Sequence, residues 1–164
     1  MAVNPDIDLA NGFRKMTLGD VPEIMQIEES IYSHPWTEGI FGDCIRVGYP
    51  CWVYRENNEI LAYGLVSVAA NEAHILNLCV SPHAQGRGLG KRMLHKLMQL
   101  AEARDADCIF LEVRVSNTIA QNLYEQEGFN HIGVRKAYYP SSEGREDALV
   151  YAKALNLDKL SPVS

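Results

Sequence analysis

Apolar side chains along this chain change their spacing several times, and each change predicts a new element. Phe13 to Met16 fits a short first strand, and Thr17 with Asp20 three residues on has the form of a helix start. Val21, Ile24, Met25 and Ile27 then share one helical face. Pro35-Trp36-Thr37-Glu38 opens a second, short helix, with Thr37 as N-cap, that runs through Ile45. After a break at Gly48-Tyr49-Pro50 the pattern becomes that of strands: Cys51 to Glu56, a turn at Asn57-Asn58, Ile60 to Val68, a turn at Asn71-Glu72, and Ala73 to Val80. Ser81-Pro82 closes that run, since proline cannot extend a sheet interior. Helical spacing returns with Leu89, Met93, Leu94, Leu97, Met98 and Ala101, as far as Arg104. A strand over Cys108 to Val115 follows, then Ser116-Asn117 as a cap and a helix through Glu127 that stops at Gly128. Phe129 to Val134 and Ala148 to Ala154 predict the last strands, separated by a polar loop that holds Tyr138-Tyr139-Pro140.

Consecutive hairpin strands predict an antiparallel region, and the strand–helix–strand unit from Ala73 to Val115 predicts a parallel pair. The expected class is α/β, a mixed and mostly antiparallel central sheet with helices on both faces. One domain over residues 13–155 is expected, with a loose leader at 1–12 and a tail at 156–164. A chain of 164 residues, 47% of them hydrophobic, has enough apolar surface for such a core.

Composition narrows the function by exclusion. A net charge of −6 disfavours a nucleic-acid-binding surface, which needs clustered Lys and Arg. No apolar run approaches the roughly 18 residues of a membrane span. Met1 to Gly12 has neither a basic nor an apolar segment of signal-peptide type, so a cytoplasmic protein is expected. Cys44, Cys51, Cys79 and Cys108 show no C-x-x-C spacing and no paired His ligands; their even number would allow two disulfides, but Cys79 and Cys108 lie in apolar, strand-like runs and the four read as buried free thiols.

The candidate chemistry begins where a strand meets a helix. Gln85-Gly86-Arg87-Gly88-Leu89-Gly90-Lys91 joins the strand ending at Val80 to the amphipathic helix. Glycines allow close backbone approach, and a helix N-terminus offers N–H groups to an anion, here with Arg87, Lys91 and Arg92 adding charge. This is a phosphate cradle. It is not a Walker A loop, because Gln85 stands where a Gly is needed and Arg92 where Ser or Thr is needed; a dinucleotide fingerprint fails at Lys91.

Gln-x-x-Gly-x-Gly after a strand ending in Val-Ser-Pro resembles the signature of the GNAT superfamily of N-acetyltransferases. The resemblance runs from about Phe13 to Leu155. The blocks Pro35-Trp36-Thr37-Glu38, Leu111 to Asn117, Leu123-Tyr124-Glu125, Gly128-Phe129, Tyr138-Tyr139-Pro140 and Glu146-Asp147-Ala148 are similar to RimI-type ribosomal-protein-alanine N-acetyltransferases. The resemblance implies the GNAT fold, whose parallel strands split to hold acetyl-CoA, with no metal. It implies that the backbones of Leu78, Cys79 and Val80 meet the pantetheine arm, that Gln85 to Lys91 hold the pyrophosphate, and that Asn117 touches the cofactor. Glu112 matches the family's general base and Tyr124 its general acid. The implied acceptor is a protein N-terminus, the alanine of small-subunit ribosomal protein eighteen, with Trp36, Tyr138, Tyr139 and Glu146 as candidates for its groove.

Chemistry agrees with these residue types. An α-amine, pKa about 8, is far easier to deprotonate than a lysine at about 10.4, and a carboxylate can take the proton. Glu112 interrupts an apolar strand, where a carboxylate is costly unless paired or wet; Arg114 is the partner the sequence offers. Tyr124 lies beside Leu123 on an amphipathic helix, a position equally suited to a core tyrosine. Cys79 sits where a thioester would lie, but no base is identifiable beside it. His74 and His83 flank the cradle strand and read as structural or exposed. Transfer to a lysine or small amine, and an acyl-CoA sensor without turnover, are the competing readings.

Overall fold

The computed structural model describes residues 11–155. Of the expected leader, residues 1–10 lie outside the described residues, as does the expected tail at 156–164; Gly12 already belongs to the first strand. The strands are β1 (Gly12–Lys15), β2 (Cys51–Glu56), β3 (Glu59–Ala69), β4 (Glu72–Val80), β5 (Cys108–Arg114), β6 (Asn130–Ser141) and β7 (Gly144–Ala154). The helices are α1 (Val21–Ile31), α2 (Glu38–Arg46), α3 (Leu89–Ala103) and α4 (Thr118–Gln126). The strands form one seven-stranded sheet in the order β1-β2-β3-β4-β5-β7-β6. β4 and β5 pair in parallel, whereas β1–β2, β2–β3, β5–β7 and β6–β7 are antiparallel, so the sheet is mixed and mostly antiparallel, as the pattern predicts. No helix among the described residues is long and apolar enough to cross a membrane.

The described residues divide into two compact units, one running up to Val66 with Leu76–Leu97, the other comprising Ser67–Ile75 with Met98 to Leu155. In the first, Ile24 and Met25 of α1, Phe41 of α2, and Val53, Ile60, Tyr63 and Leu65 of β2 and β3 form the core. Asp20 closes the entry to α1. Its carboxylate accepts from Thr17 N (2.8 Å) and Thr17 Oγ1 (3.1 Å) and is clamped by Arg14 at 2.8 and 3.1 Å. Thr37 caps α2 by accepting from Ile40 N. Asn57 and Asn58 both take positive φ, 51° and 62°, which is what a two-residue hairpin turn between β2 and β3 requires. Gly64 is small for a different reason: a Cβ there would stand 2.8 Å from Leu97 Cδ1 and 3.0 Å from Met93 Cγ, so α3 rests directly on the backbone of β3.

In the second unit β5 alternates. Ile109, Leu111 and Val113 are buried, while Phe110, Glu112 and Arg114 share the half-open face. Tyr124, Phe129 and Tyr151 pack beside that core, with ring centroids 5.6 and 6.4 Å from Tyr124. The polar loop expected between the last two strands is instead a long continuation of the β6–β7 ladder, paired at Tyr139↔Glu146, Pro140↔Arg145 and Ser141↔Gly144. A register shift between Arg135 and Tyr139, with Ala137 at φ 50°, carries the ladder past the irregularity. Ala137 N donates to Asp147 Oδ1 and Arg145 Nε donates to Ala137 O, holding the bulge in place. The stretch reads as a loop because most of β6 is exposed, so burial imposes no alternation on it, and because Pro140 is tolerated on the edge strand.

Gly64→Ala is therefore expected to destabilise the protein by about 1–3 kcal/mol, through overpacking against Leu97 and Met93. A lowered urea midpoint with an unchanged slope is the expected result; an unchanged midpoint would mean that α3 yields freely.

Candidate active site

Glu112 is the buried carboxylate of the second unit, its side chain only 5% exposed. It does not interrupt the core face of β5 but belongs to the other face, two residues beyond Phe110. Parallel pairing sets His74 of β4 opposite Phe110, and the two rings stack at 4.6 Å with a 17° interplanar angle. From there His74 Nε2 reaches Glu112 Oε2. A carboxylate only accepts, so Nε2 carries the hydrogen. On the other side Arg135 Nε stands 3.2 Å from Glu112 Oε1. It reaches across β7 where Ala148 and Val150 supply only short side chains, Ala148 being the register partner of both Arg114 and Arg135. Arg135 makes an ion pair but no hydrogen bond with Oε1, which is buried and left without a hydrogen-bond partner.

Arg114 is not the partner of Glu112. Its Nη1 donates to Glu146 Oε1 (2.8 Å) and Pro140 O (2.9 Å), and its guanidinium lies 4.5 Å from the Tyr139 ring centroid. Glu146 also accepts from Ser116 N, so Glu146 ties β7 to the end of β5; the Arg114 hydrogen bond holds its carboxyl below the ordinary range. Burial, then the charge of Glu112, pushes the Tyr139 hydroxyl upward. Tyr138 packs edge-on against Tyr139 at 4.8 Å. Tyr124 is buried, and burial pushes its hydroxyl up to about 12. Asn117 caps α4 by accepting from Ala120 N.

In the first unit the turn after β4 has the form the spacing predicts. Gly86 and Gly88 take φ of 81° and 78°, and a Cβ at either would meet nothing within 4 Å, so the turn has open space in front of its backbone. The helical bonds of α3 start with Arg92 N to Gly88 O, so the N–H groups of Leu89 and Gly90 precede them. Gln85 Nε2 donates to Val80 O, folding the turn back on the strand. The cations are less available than their positions suggest. Arg87 is held by both oxygens of Glu56 at 2.8 and 2.9 Å, and Arg92 donates to Tyr54 Oη and lies 4.8 Å from that ring's centroid. His83 pairs with Glu59 at the surface.

A second buried carboxylate, Glu28, lies in this unit at 2% exposure. It accepts from Tyr63 Oη (2.6 Å), Asn77 Nδ2 (3.2 Å) and the backbone N of Trp36 (2.9 Å). Trp36, whose ring packs 5.0 Å from Phe41, is thereby fixed by its backbone. Cys79 is buried on β4, and burial pushes its thiol up to about 11. All four cysteines are free.

Residues 21–129 match the Acetyltransferase (GNAT) family. The [ribosomal protein bS18]-alanine N-acetyltransferase of Escherichia coli K12 is 33% identical over 147 residues, covering 90% of this chain and 99% of that protein. The enzyme of the same name from Haemophilus ducreyi is 37% identical over 134 residues, covering 81% and 92%. The chain belongs to the GNAT family of acetyltransferases. Its fold agrees: the crystal structure of the ribosomal-protein-S18-alanine N-acetyltransferase from Escherichia coli superposes with a TM-score of 0.82 at 34% identity, covering 88% of this chain and 93% of that one.

In this acetyltransferase, sequence reasoning brings out Glu112, Tyr124, Tyr139 and the glycine turn but misses Glu28 and Arg135 and sets His74 aside. Glu28 carried a signal, since it falls four residues after Ile24 on the apolar face of α1. Arg135 carried none, because its reach depends on the β6–β7 register. The raised Cys79 thiol is almost wholly protonated at neutral pH and is a poor nucleophile. Cys79→Ala is expected to keep acetyl transfer within about threefold of wild type, whereas loss of a covalent nucleophile costs about 10³-fold or more. Steady-state turnover of the purified variant decides between them.

Proposed function

We propose that this acetyltransferase moves an acetyl group from acetyl-CoA to the N-terminal α-amine of a protein in the cytoplasm, and that its acceptor is the alanine that begins ribosomal protein bS18. The observation that carries the mechanism is Glu112 Oε1, a buried carboxylate oxygen with no hydrogen-bond partner. Burying an acceptor without a donor is costly in a folded protein, and an incoming ammonium group would relieve that cost. The acceptor comes from the relatives, whose name specifies this alanine and which align along most of the chain.

Bound acetyl-CoA supplies an activated acyl thioester. We assign its pyrophosphate to the backbone of Gly86 to Lys91, next to Gln85, and its arm to the backbones of Leu78, Cys79 and Val80, with Asn117 alongside. The open space in front of Gly86 and Gly88 fits this role. Because Glu56 already holds Arg87, the backbone N–H groups carry more of the task than the side-chain charges.

An α-ammonium becomes an amide by losing two protons. One of them balances the departing thiolate and the other must be taken by a base. Glu112 Oε1 takes that proton and so frees the nitrogen lone pair. Tyr124 keeps its hydroxyl protonated through the neutral range, as a donor to a leaving sulfur must. Tyr139, beside Glu112, lines the acceptor path; Tyr138 and Glu146 support it, and Trp36 lines the acceptor groove. Residues 13–155 act as one catalytic domain.

CoA release with peptides starting in the bS18 N-terminal sequence, in Met, or carrying only an internal lysine tests this reading. Turnover confined to the alanine peptide is expected. Glu112→Gln should lower kcat/KM by roughly 10²-fold or more, and Tyr124→Phe should lower kcat. Preference for the lysine peptide would overturn the acceptor, and acetyl-CoA binding without turnover on any amine would overturn the enzyme reading.

A further inference from the structure

We infer that His74 is the positioning residue of the Glu112 base: it holds one carboxylate oxygen, aims the other at the acceptor amine, and makes the base a two-residue unit. The inference rests on the reading of Glu112 given above. Three observations support it. His74 Nε2 meets Oε2 of Glu112, and Oε1 remains buried and without a hydrogen bond, so the two oxygens are differentiated. The imidazole is itself held, stacked on Phe110 at 4.6 Å. It is also 27% exposed, so unlike Glu112 it has access to water for proton exchange.

A carboxylate with two free oxygens can rotate and present either lone pair. With Oε2 anchored, only Oε1 is left to receive a proton, and its direction is fixed by the β4–β5 register. When His74 is neutral its Nε2–H orients Glu112 without a full charge beside it. When His74 takes a second proton, at Nδ1, the imidazolium charge stabilises the Glu112 anion and weakens it as a base. Protonation of His74 would therefore lower activity. The other charged and titratable groups around the pair are Arg135, 3.2 Å from Oε1, and Tyr139, whose hydroxyl the Glu112 charge raises; Arg114 is occupied by Glu146.

The test compares full-length wild type, His74→Gln, His74→Ala and Glu112→Gln in acetyl transfer to the alanine peptide from pH 5.5 to 9. Gln keeps an N–H donor but has no proton to gain. We expect His74→Ala to lose about 10-fold to 100-fold in kcat/KM, and His74→Gln to recover most of that loss. In both variants the acid limb of kcat/KM should lose whatever part of it His74 protonation contributes in wild type. If both variants keep the wild-type rate and acid limb while Glu112→Gln is impaired, His74 has no such role and the Glu112 assignment stands. If Glu112→Gln is as active as wild type, the base assignment itself falls, and this inference with it. If His74→Ala is slow but its acid limb is that of wild type, the contact is structural only, and the coupled-base inference is overturned.

Discussion

A carboxylate taken out of water must find donors or cations, or it will not stay ionised, and this requirement governs the second unit of the chain. Glu112 side-chain exposure is only 5%, and its support comes from both sides of β5. His74 arrives because β4 pairs in parallel with β5 at His74↔Phe110. Arg135 arrives because β7, lying next to β5, presents Ala148 and Val150 and leaves room to cross. Neither partner is near Glu112 in sequence. Moving either register by one residue would turn a partner to the opposite face and leave the carboxylate stranded.

The first unit also buries a carboxylate, and the contrast is informative. Glu28 receives three donors spread over both oxygens, from Tyr63, Asn77 and Trp36. A group so satisfied fixes α1, β3, β4 and the Trp36 segment relative to one another. Glu112 has one oxygen hydrogen-bonded by His74, while the other meets only the Arg135 ion pair and has no hydrogen bond. Both glutamate side chains are buried, and they differ in the count of hydrogen-bond donors at each oxygen.

The cradle follows a related economy of groups. Glycines at φ near 80° bare the backbone, and the start of α3 directs N–H groups along its axis. The neighbouring arginines are committed elsewhere: Arg87 to Glu56, Arg92 to Tyr54. Anion affinity at such a turn comes from backbone dipoles, which cannot swing away, more than from mobile side chains.

Local pattern determined much of this protein. The strand and helix order, the Thr37 cap, the Asn57-Asn58 turn and the glycine turn at Gly86 and Gly88 all follow from period, capping and φ preference, which act within a few residues. Glu112 and Tyr124 stood out through resemblance to known enzymes. Only the tertiary structure decided which groups surround them. Arg114, adjacent in sequence and on the same face, binds Glu146, whereas His74 and Arg135 reach Glu112 through strand pairing. The β6–β7 ladder hid in the sequence because most of β6 is exposed, apolar Ile132, Val134 and Tyr138 included, so burial imposes no alternation, and hydrogen bonding between distant strands leaves no period to read. Sequence specifies the elements because their causes are local; the partners of a buried charge are set by register, which is a property of strands already assembled.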